Sequence, residues 1–372
     1  MVNPEISAFL QERIDANDFP SAVYLVAEGG RICYQDALGY AVLEAKPFRA
    51  TNDTVFDLAS VTKVLVTGLI AARLIERRQL SLDDDLAKLL PKIVGSDRSA
   101  ITIRQLLTHT SGLIGWVPLY LLVDHPSKIV EAVLMTDRSY PNRSVIYSDP
   151  GFILLGKIIE RLTERTLDSL FHEEIGGPLD LAFNPLRDIL LTSIAASENG
   201  NQHERRVCEE LGFLRAVPPE QADRYFRSDL IWGEVHDGNA YFMGGVAGHA
   251  GLFGTAEAVL KIAQQFLPGY TSLLKAGTCE LFTTNFTPGM NEHRSFGFQL
   301  ASSPDSTAGQ LMSPQSFGHL GFTGTSLWID PVKERVFILL TNRTHNHTPP
   351  FVNINSVRRR FHDLAIAALD QN

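Results

Sequence analysis

Ser60 and Lys63 stand three residues apart at the start of a predicted helix, in the run Ser60-Val61-Thr62-Lys63. Side chains three apart on a helix are neighbours, so this hydroxyl and this amine can meet. A serine hydroxyl becomes a good nucleophile when a base lies within hydrogen-bond reach, and a lysine amine is such a base if burial lowers its pKa. Backbone N–H groups at a helix start also favour an oxyanion nearby. The pair therefore predicts acyl transfer through a serine ester.

Two further segments strengthen this prediction, because Ser-x-x-Lys alone is common by chance and a serine at a helix start is usually a cap. Tyr147 precedes a predicted helix, and a tyrosine beside a lysine cation can lose its proton and pass it to a leaving group. Residues 318–324, which include His319, are rich in glycine and lead into a strand. Such glycines indicate close approach to another element or to a substrate carbonyl. The alternative for Tyr147 is a half-buried aromatic residue at a helix start. The alternative for the glycine-rich segment is ordinary packing.

The elements that must position these groups come from both ends of the chain. Asn3 and Pro4 predict a helix start, and β-prone runs at 22–27 and 31–37 meet across two glycines as a hairpin. Strands are also predicted at 325–329 and 336–340. After them, one face of a predicted helix collects the apolar residues Ile354, Val357, Phe361, Leu364 and Ala368. These patterns predict one sheet built from both termini, with the middle of the chain inserted as a second lobe.

The middle of the chain is predicted to be mainly helical, with helices at 102–107, 127–135 and 152–163. Periodicity is poor from 184 to 232, where Pro218-Pro219 interrupts it. A stretch of this length without regular structure is expected to be a long insertion that shapes the substrate pocket.

Composition excludes several classes of function. The chain has 372 residues, 44% of them apolar, and a formal charge of −9 with scattered basic residues, so nucleic acid is an unexpected partner. No run of eighteen apolar residues predicts a membrane span, and the first residues do not resemble a signal peptide, so we expect a cytoplasmic protein. The cysteines, Cys33, Cys208 and Cys279, are widely spaced and are expected to be free thiols. The histidines match no metal-binding spacing, so no metal or other cofactor is expected.

Ser60-x-x-Lys63, Tyr147-x-Asp149 and His319-x-Gly321, in this order, resemble the three motifs of the serine β-lactamase and penicillin-binding-protein superfamily. The likeness is to the branch with class C β-lactamases, D,D-carboxypeptidases, D-aminopeptidases and family VIII esterases. Supporting segments lie at 106–113, 147–156, 244–253 and 318–331.

The resemblance implies an α/β (α+β) fold: a three-layer α/β/α domain with a mostly antiparallel sheet, formed by 1–80 and 240–372, and an inserted helical domain, 81–239. The active site is expected between the two domains. Ser60 would attack an acyl carbonyl, and Lys63 and Tyr147 would move the protons. The N–H groups of Ser60 and Phe322 would form the oxyanion hole. The residues expected to line the substrate pocket are Asp149, His319, Gly321 and His249.

Two departures from the family pattern bear on the substrate. Asp149 stands where the second motif most often has Asn, and an ionised carboxylate there can hold Lys63 protonated. His319 stands where β-lactamases have Lys, so the cation for a β-lactam carboxylate is missing or depends on pH. Together with the missing secretion signal, this favours a carboxylesterase over a D,D-carboxypeptidase, D-aminopeptidase or β-lactamase. An acyltransferase, and a catalytically silent relative that binds a ligand or partner protein, stay open. No prediction is made for the oligomeric state.

Overall fold

In the computed structural model the described residues are 1–44, 46–90, 93, 95–176, 182, 183, 190–218 and 224–371. The strands are β1 Ser21–Glu28, β2 Arg31–Val42, β3 Phe48–Arg49, β4 Phe56–Asp57, β5 Ala182–Phe183, β6 Leu252–Gly254, β7 Gln299–Leu300, β8 Phe317–Leu320, β9 Ser326–Asp330 and β10 Arg335–Thr341. Within the described residues the main sheet has seven strands in the order β3-β2-β1-β10-β9-β8-β7. All its neighbours pair antiparallel.

The sheet joins the two ends of the chain at its centre, as the sequence predicted. Strand β1 pairs with β10, and Leu25 lies opposite Ile338. The hairpin between β1 and β2 turns over Gly29 and Gly30, whose φ angles of 57° and 77° suit glycine because it lacks a Cβ. Strand β10 is buried along its whole length, which explains its continuous apolar sequence.

The helices of the described chain are α1 Pro4–Asp15, α2 Leu69–Glu76, α3 Leu86–Leu89, α4 Ile103–Leu107, α5 Ile129–Leu134, α6 Asp149–Thr163, α7 Leu167–Phe171, α8 Gln202–Glu210, α9 Gly238–Phe242, α10 Ala256–Ala263, α11 Ala276–Thr283 and α12 Asn355–Asp370. Asn3 caps α1 by accepting from the backbone N–H groups of Glu5 and Ile6. None of these helices has the length and apolar character needed to cross a lipid bilayer.

Alternating residues of the sheet face two separate cores, which makes the layers of this domain. Tyr24 packs with α1 and α12, in a cluster that includes Phe361. Val23 and Leu25 point the other way, into the larger core that also holds α2, α6 and α10. The period of two along a strand therefore buries both faces of β1. The fold is the predicted mixed α/β class with helices on both faces of an antiparallel sheet. The division at 80/81 and 239/240 stays a prediction.

The structure departs from the sequence predictions in two places. The helix expected to start at Ser60 is composite: a 3₁₀ turn at Ala59–Val61, a π-helical segment at Lys63–Gly68, and then α2. The stretch from 184 to 232, predicted to be irregular, contains helix α8. Residues 184–189 and 219–223 of that stretch lie outside the described residues.

Candidate active site

Ser60 lies in the turn that follows strand β4. This strand pairs with β6 in a small sheet, Phe56 opposite Gly254 and Asp57 opposite Phe253, which sequence periodicity did not reveal. Its two residues are too few to show an alternation of apolar and polar side chains. Ser60 is the second residue of the 3₁₀ turn and stays partly exposed, while Lys63 one turn later is fully buried. The partly exposed Ser60 hydroxyl therefore lies next to the buried Lys63 amine.

The Lys63 ammonium group is surrounded by oxygens, among them those of Ser60, His249 and Asp149. Its Nζ lies 2.8 Å from Ser60 Oγ and 3.2 Å from the His249 carbonyl oxygen, and donates to both. Asp149 Oδ1 lies 2.7 Å away and forms an ion pair with it. Burial lowers the pKa of Lys63, but the charges of Asp149 and Tyr147 and the hydrogen bonds with both residues together outweigh burial, so the pKa is raised. Lys63 therefore rests protonated, which is the alternative that the sequence analysis gave for an ionised Asp149, and its pKa is not lowered as a neutral resting base would require.

Asp149 reaches Lys63 because helix α6 begins at this residue. Ser148 is the N-cap, and its Oγ accepts from the Gly151 N–H at 3.2 Å and donates to the Ile114 carbonyl oxygen at 2.7 Å. The predicted helix started three residues later, at 152, so the sequence did not place this cap. The cap fixes both the direction of α6 and the position of the Asp149 carboxylate.

Tyr147 stands beside the same amine, enclosed by rings. The Lys63 Nζ is 4.9 Å from the centre of its ring, and the imidazoles of His109 and His319 lie 4.6 and 5.8 Å from it, centre to centre. Burial raises the pKa of Tyr147, and Lys63 offsets this only in part. Tyr147 therefore rests as a phenol, whereas the sequence argument had a phenol that loses its proton easily.

Both imidazoles beside Tyr147 are buried and neutral. Burial holds the pKa of His319 well below its usual value, and the positive charges of Lys63 and Arg294 add to the effect. The pKa of His109 is well below its usual value for the same reasons. His319 therefore adds no fixed charge at neutral pH, which answers the question that the sequence left open. Sequence reasoning missed the place of His109 against Tyr147.

His249 is fixed by a carboxylate that the sequence did not single out for this role. Its Nε2 lies 2.8 Å from Asp237 Oδ1, and the same oxygen accepts from the Ala240 N–H at 2.7 Å, at the start of α9. Ligand atoms of Asp149, Asp237 and His249 all lie within 4.8 Å of one another, a grouping that a metal ion could use. Lys63 already supplies a positive charge there, 2.7 Å from Asp149.

The glycine-rich segment brings Phe322 to the same cavity as Ser60. Gly321 leaves no room for a side chain, because a Cβ on it would lie 2.6 Å from the Leu58 carbonyl oxygen and 1.9 Å from Thr325 Oγ1. The Phe322 N–H has no hydrogen-bond partner among the described residues. The Phe322 ring stacks on His236, with 5.4 Å between centres.

A cavity of about 800 Å³ opens over these groups. Among its lining residues are the predicted site residues Ser60, Tyr147, Asp149, His319, Gly321 and Phe322. Arg343 and Arg358 line it as well and were not predicted. Neither has an acidic partner within the described chain, and burial lowers the pKa of Arg343 to about 10 and that of Arg358 to about 9. Two guanidinium groups therefore lie in the cavity lining near Phe322, where Arg343 donates to the Phe322 carbonyl oxygen and Arg358 to that of Gly321.

Comparisons with known proteins identify the family and agree with this fold. The model of the Beta-lactamase family matches residues 6–358, so the chain belongs to that family. A putative D-alanyl-D-alanine carboxypeptidase of Escherichia coli (strain K12) is 32% identical, over 92% of this chain and 85% of the relative. The relative of that name from Salmonella gallinarum is 34% identical, over 94% of this chain and 85% of the relative. The chain is thus a hydrolase of the serine β-lactamase type.

Solved structures show the same fold at low sequence identity. EstCE1, a hydrolase with promiscuous acyltransferase activity, superposes with a TM-score of 0.71 at 21% identity, over 97% of both chains. Simvastatin synthase from Aspergillus terreus gives a TM-score of 0.71 at 20% identity, over the whole of both chains. An octameric penicillin-binding protein homologue from Pyrococcus abyssi gives a TM-score of 0.71 at 19% identity, over 98% of this chain and 77% of that one.

Proposed function

We propose that the protein hydrolyses a small ester, amide or peptide through a covalent acyl-enzyme on Ser60, without a metal. One observation carries the proposal: the buried Lys63 Nζ donates to Ser60 Oγ at 2.8 Å while it also pairs with Asp149. A buried ammonium is costly unless it is paired and hydrogen-bonded, and a purely structural one would not need a cavity-facing hydroxyl as partner. Nucleophile and base within this distance are the signature of covalent catalysis.

Acylation moves one proton. The Ser60 oxygen bonds to the substrate carbonyl carbon, the bond to the leaving group breaks, and the serine proton goes to that group. Lys63 and Tyr147 are the carriers, because Lys63 touches the hydroxyl and its Nζ lies 4.9 Å from the centre of the Tyr147 ring. Since Lys63 and Tyr147 both rest protonated, the reactive form has lost one proton from this pair. Water then takes the acyl group by the reverse sequence of steps.

The carbonyl oxygen of the substrate becomes an oxyanion during this attack. The N–H groups of Ser60 and Phe322 are our candidates to stabilise it, since preorganised donors at such a position contribute a large part of catalysis. Ser60 lies at the start of a helical run, where backbone N–H groups lack partners. The Phe322 N–H is likewise without a partner in the described chain.

The proposal is tested by intact mass after exposure to a fluorophosphonate. The wild-type protein should gain one adduct, and Ser60→Ala should gain none. Ser127→Ala is the matched control, because it removes an exposed serine hydroxyl at another helix start and should still be labelled. A wild-type protein that forms no adduct with a fluorophosphonate or a penicillin would instead be the catalytically silent relative.

A carboxylesterase remains the first candidate within this class, as the neutral His319 offers no charge for a substrate carboxylate. A D,D-carboxypeptidase is the second, and Arg343 and Arg358 favour it. These two guanidinium groups line the cavity without acidic partners in the described chain and so suit a substrate with a free carboxylate. The names of the curated relatives point the same way, whereas EstCE1 points to esters and acyl transfer.

A further inference from the structure

Ala59, directly before Ser60, has a backbone conformation that residues other than glycine rarely adopt. Its φ angle is 46°, in the left-handed region, where a Cβ approaches the backbone too closely. Such a conformation persists only when surrounding contacts hold it, and it tends to occur at functional sites. The direction of the Ser60 side chain and of its N–H depends on this one residue.

The Asp57 carboxylate is the group that holds Ala59. Its Oδ1 accepts from the Ala59 N–H at 2.8 Å, and its Oδ2 accepts from the His236 N–H at 2.8 Å. Asp57 is 4% exposed, and no Lys or Arg pairs with it in the described chain. A buried carboxylate without a cation is costly, so its two backbone bonds are what retain it there.

Two threonines tie the same turn to the segment that carries Phe322. Thr323 Oγ1 donates to the Asp57 carbonyl oxygen at 2.8 Å, and Thr325 Oγ1 donates to the Leu58 carbonyl oxygen at 3.1 Å. Both threonines are buried. The turn before Ser60 is thereby fixed on one side to Phe322 and on the other, through the Asp57 side chain, to His236.

We propose that Asp57 is a positioning residue, which holds Ala59 in its left-handed conformation and so aims the Ser60 hydroxyl and N–H at the substrate carbonyl. Asp57 itself touches no substrate, and the proposal rests on the proposed function of Ser60. Its expected contribution is to the rate of acylation, because a nucleophile misplaced by about 1 Å loses about 100-fold in rate.

The test is the acylation rate of Asp57→Ala, alone and combined with Ala59→Gly. The single variant should lower kcat for p-nitrophenyl butyrate, and the rate of fluorophosphonate labelling at Ser60, by about 100-fold with little change in KM. Glycine adopts a φ of 46° without steric cost, so the double variant should regain at least about tenfold in rate over the single variant.

Asp330→Ala is the matched control. Asp330, the last residue of β9, is buried and accepts from the N–H groups of Val332 and Lys333, in a turn away from Ser60. This control should keep the wild-type rate.

Each outcome decides between the two proposals. Equal labelling rates in wild type and Asp57→Ala would overturn the role of Asp57 while leaving Ser60 as nucleophile. A loss of rate in Asp57→Ala that Ala59→Gly does not restore would also overturn this role. A double variant that fails to fold would overturn it too, since Asp57 would then stabilise the fold as a whole and not the turn before Ser60. Absence of labelling in the wild type counts against the proposed function itself.

Discussion

Lys63 is fully buried, and the groups around it determine how a protonated lysine can take part in catalysis. Its ammonium group donates to Ser60 Oγ, so in the resting state the serine oxygen accepts and cannot give its own proton to this amine. One proton must leave Lys63 or Tyr147 before Ser60 can be activated. Asp149, 2.7 Å from Lys63, opposes this loss because it stabilises the charged amine. Acylation should therefore accelerate as pH rises.

Replacement of Asp149 by Asn should move this acceleration to lower pH. The change removes an anion beside Lys63, which disfavours the charged amine and lowers its pKa, so that the neutral amine appears at lower pH. We expect the midpoint of the rising limb of kcat/KM to fall by about one pH unit or more, as a close charge contributes about that much. The measurement is the pH profile of p-nitrophenyl butyrate hydrolysis.

Glu160→Gln is the control for this experiment. It removes the carboxylate 2.8 Å from Lys157 Nζ, on the same helix α6 but away from Ser60. Its profile should coincide with that of the wild type. A midpoint that stays in place or rises in Asp149→Asn would show that Lys63 is not the group whose proton limits acylation.

Residues of the site differed in how well the sequence revealed them. Ser60 and Lys63 were predictable because three residues on a helix bring side chains together, whatever the rest of the fold does. The contact between Asp237 and His249 joins two loops, and that between His109 and Tyr147 depends on a left-handed φ of 58° at His109. Neither contact leaves a periodic signal. The net pKa directions of Lys63 and Tyr147 were left open by the sequence because they depend on burial and on neighbours that only the fold supplies.

Helix α6 and the loop at 244–251 are the two elements that meet around Lys63, and glycines set their separation. A Cβ on Gly248 would lie 2.1 Å from the Phe152 carbonyl oxygen and 3.0 Å from the Gly156 Cα. The loop continues into His249, whose carbonyl oxygen accepts from Lys63, and α6 begins with Asp149. The spacing of these elements therefore determines the contacts of the amine with Asp149 and with the His249 carbonyl oxygen.

Gly248→Ala should push the loop away from α6. The added methyl group meets backbone that cannot move aside cheaply, and overpacking of this kind costs about 1–3 kcal/mol. We expect the midpoint of urea unfolding to fall accordingly, and acylation by fluorophosphonate to slow because the His249 carbonyl leaves Lys63.

The control for this change is Gly277→Ala, in helix α11. A Cβ there would have nothing within 4 Å, and alanine is favoured over glycine in a helix by about 0.5–1 kcal/mol. This variant should gain stability and keep the wild-type rate. If Gly248→Ala behaves like Gly277→Ala in both measurements, close packing at Gly248 does not position His249.

Elements with local patterns were predicted well, and short strands that depend on a distant partner were not. Helix α1 has a side-chain cap, α12 has an apolar face, β1 ends at hairpin glycines and β10 is a long apolar run. Strand β4, with two residues, exists because β6 lies beside it. The π-helical segment Lys63–Gly68 has a sequence that suits an α-helix equally well, since its side chains are apolar on most sides.

At the scale of the whole molecule, the cavity over Ser60 gathers residues that are far apart in the sequence. Glu204 and Asp237 line it, and so do Arg343 and Arg358. Arg358 belongs to the last helix, α12, where it donates to the carbonyl oxygens of Gly321 and Thr325. The joining of both chain ends in one sheet thus brings two cations next to the candidate oxyanion hole, in a way that no single motif could predict.

Arg343 provides the test of substrate class. Its Nε donates to the Phe322 carbonyl oxygen at 2.8 Å and its Nη1 to that of Val352 at 2.7 Å, so Nη2 has no partner in the described chain. Arg343→Gln should lower kcat/KM for a D-alanyl-D-alanine peptide by about tenfold or more, because a hydrogen bond to a charged group contributes about 1.5–3 kcal/mol. The control substrate is the same peptide with its C-terminal carboxylate converted to the methyl ester, which has no charge for Arg343 to bind. A fall in its turnover would show that the substitution disturbs Phe322 itself. A ratio of the two kcat/KM values that the substitution leaves unchanged would favour the carboxylesterase, whereas a fall confined to the free acid would favour the carboxypeptidase.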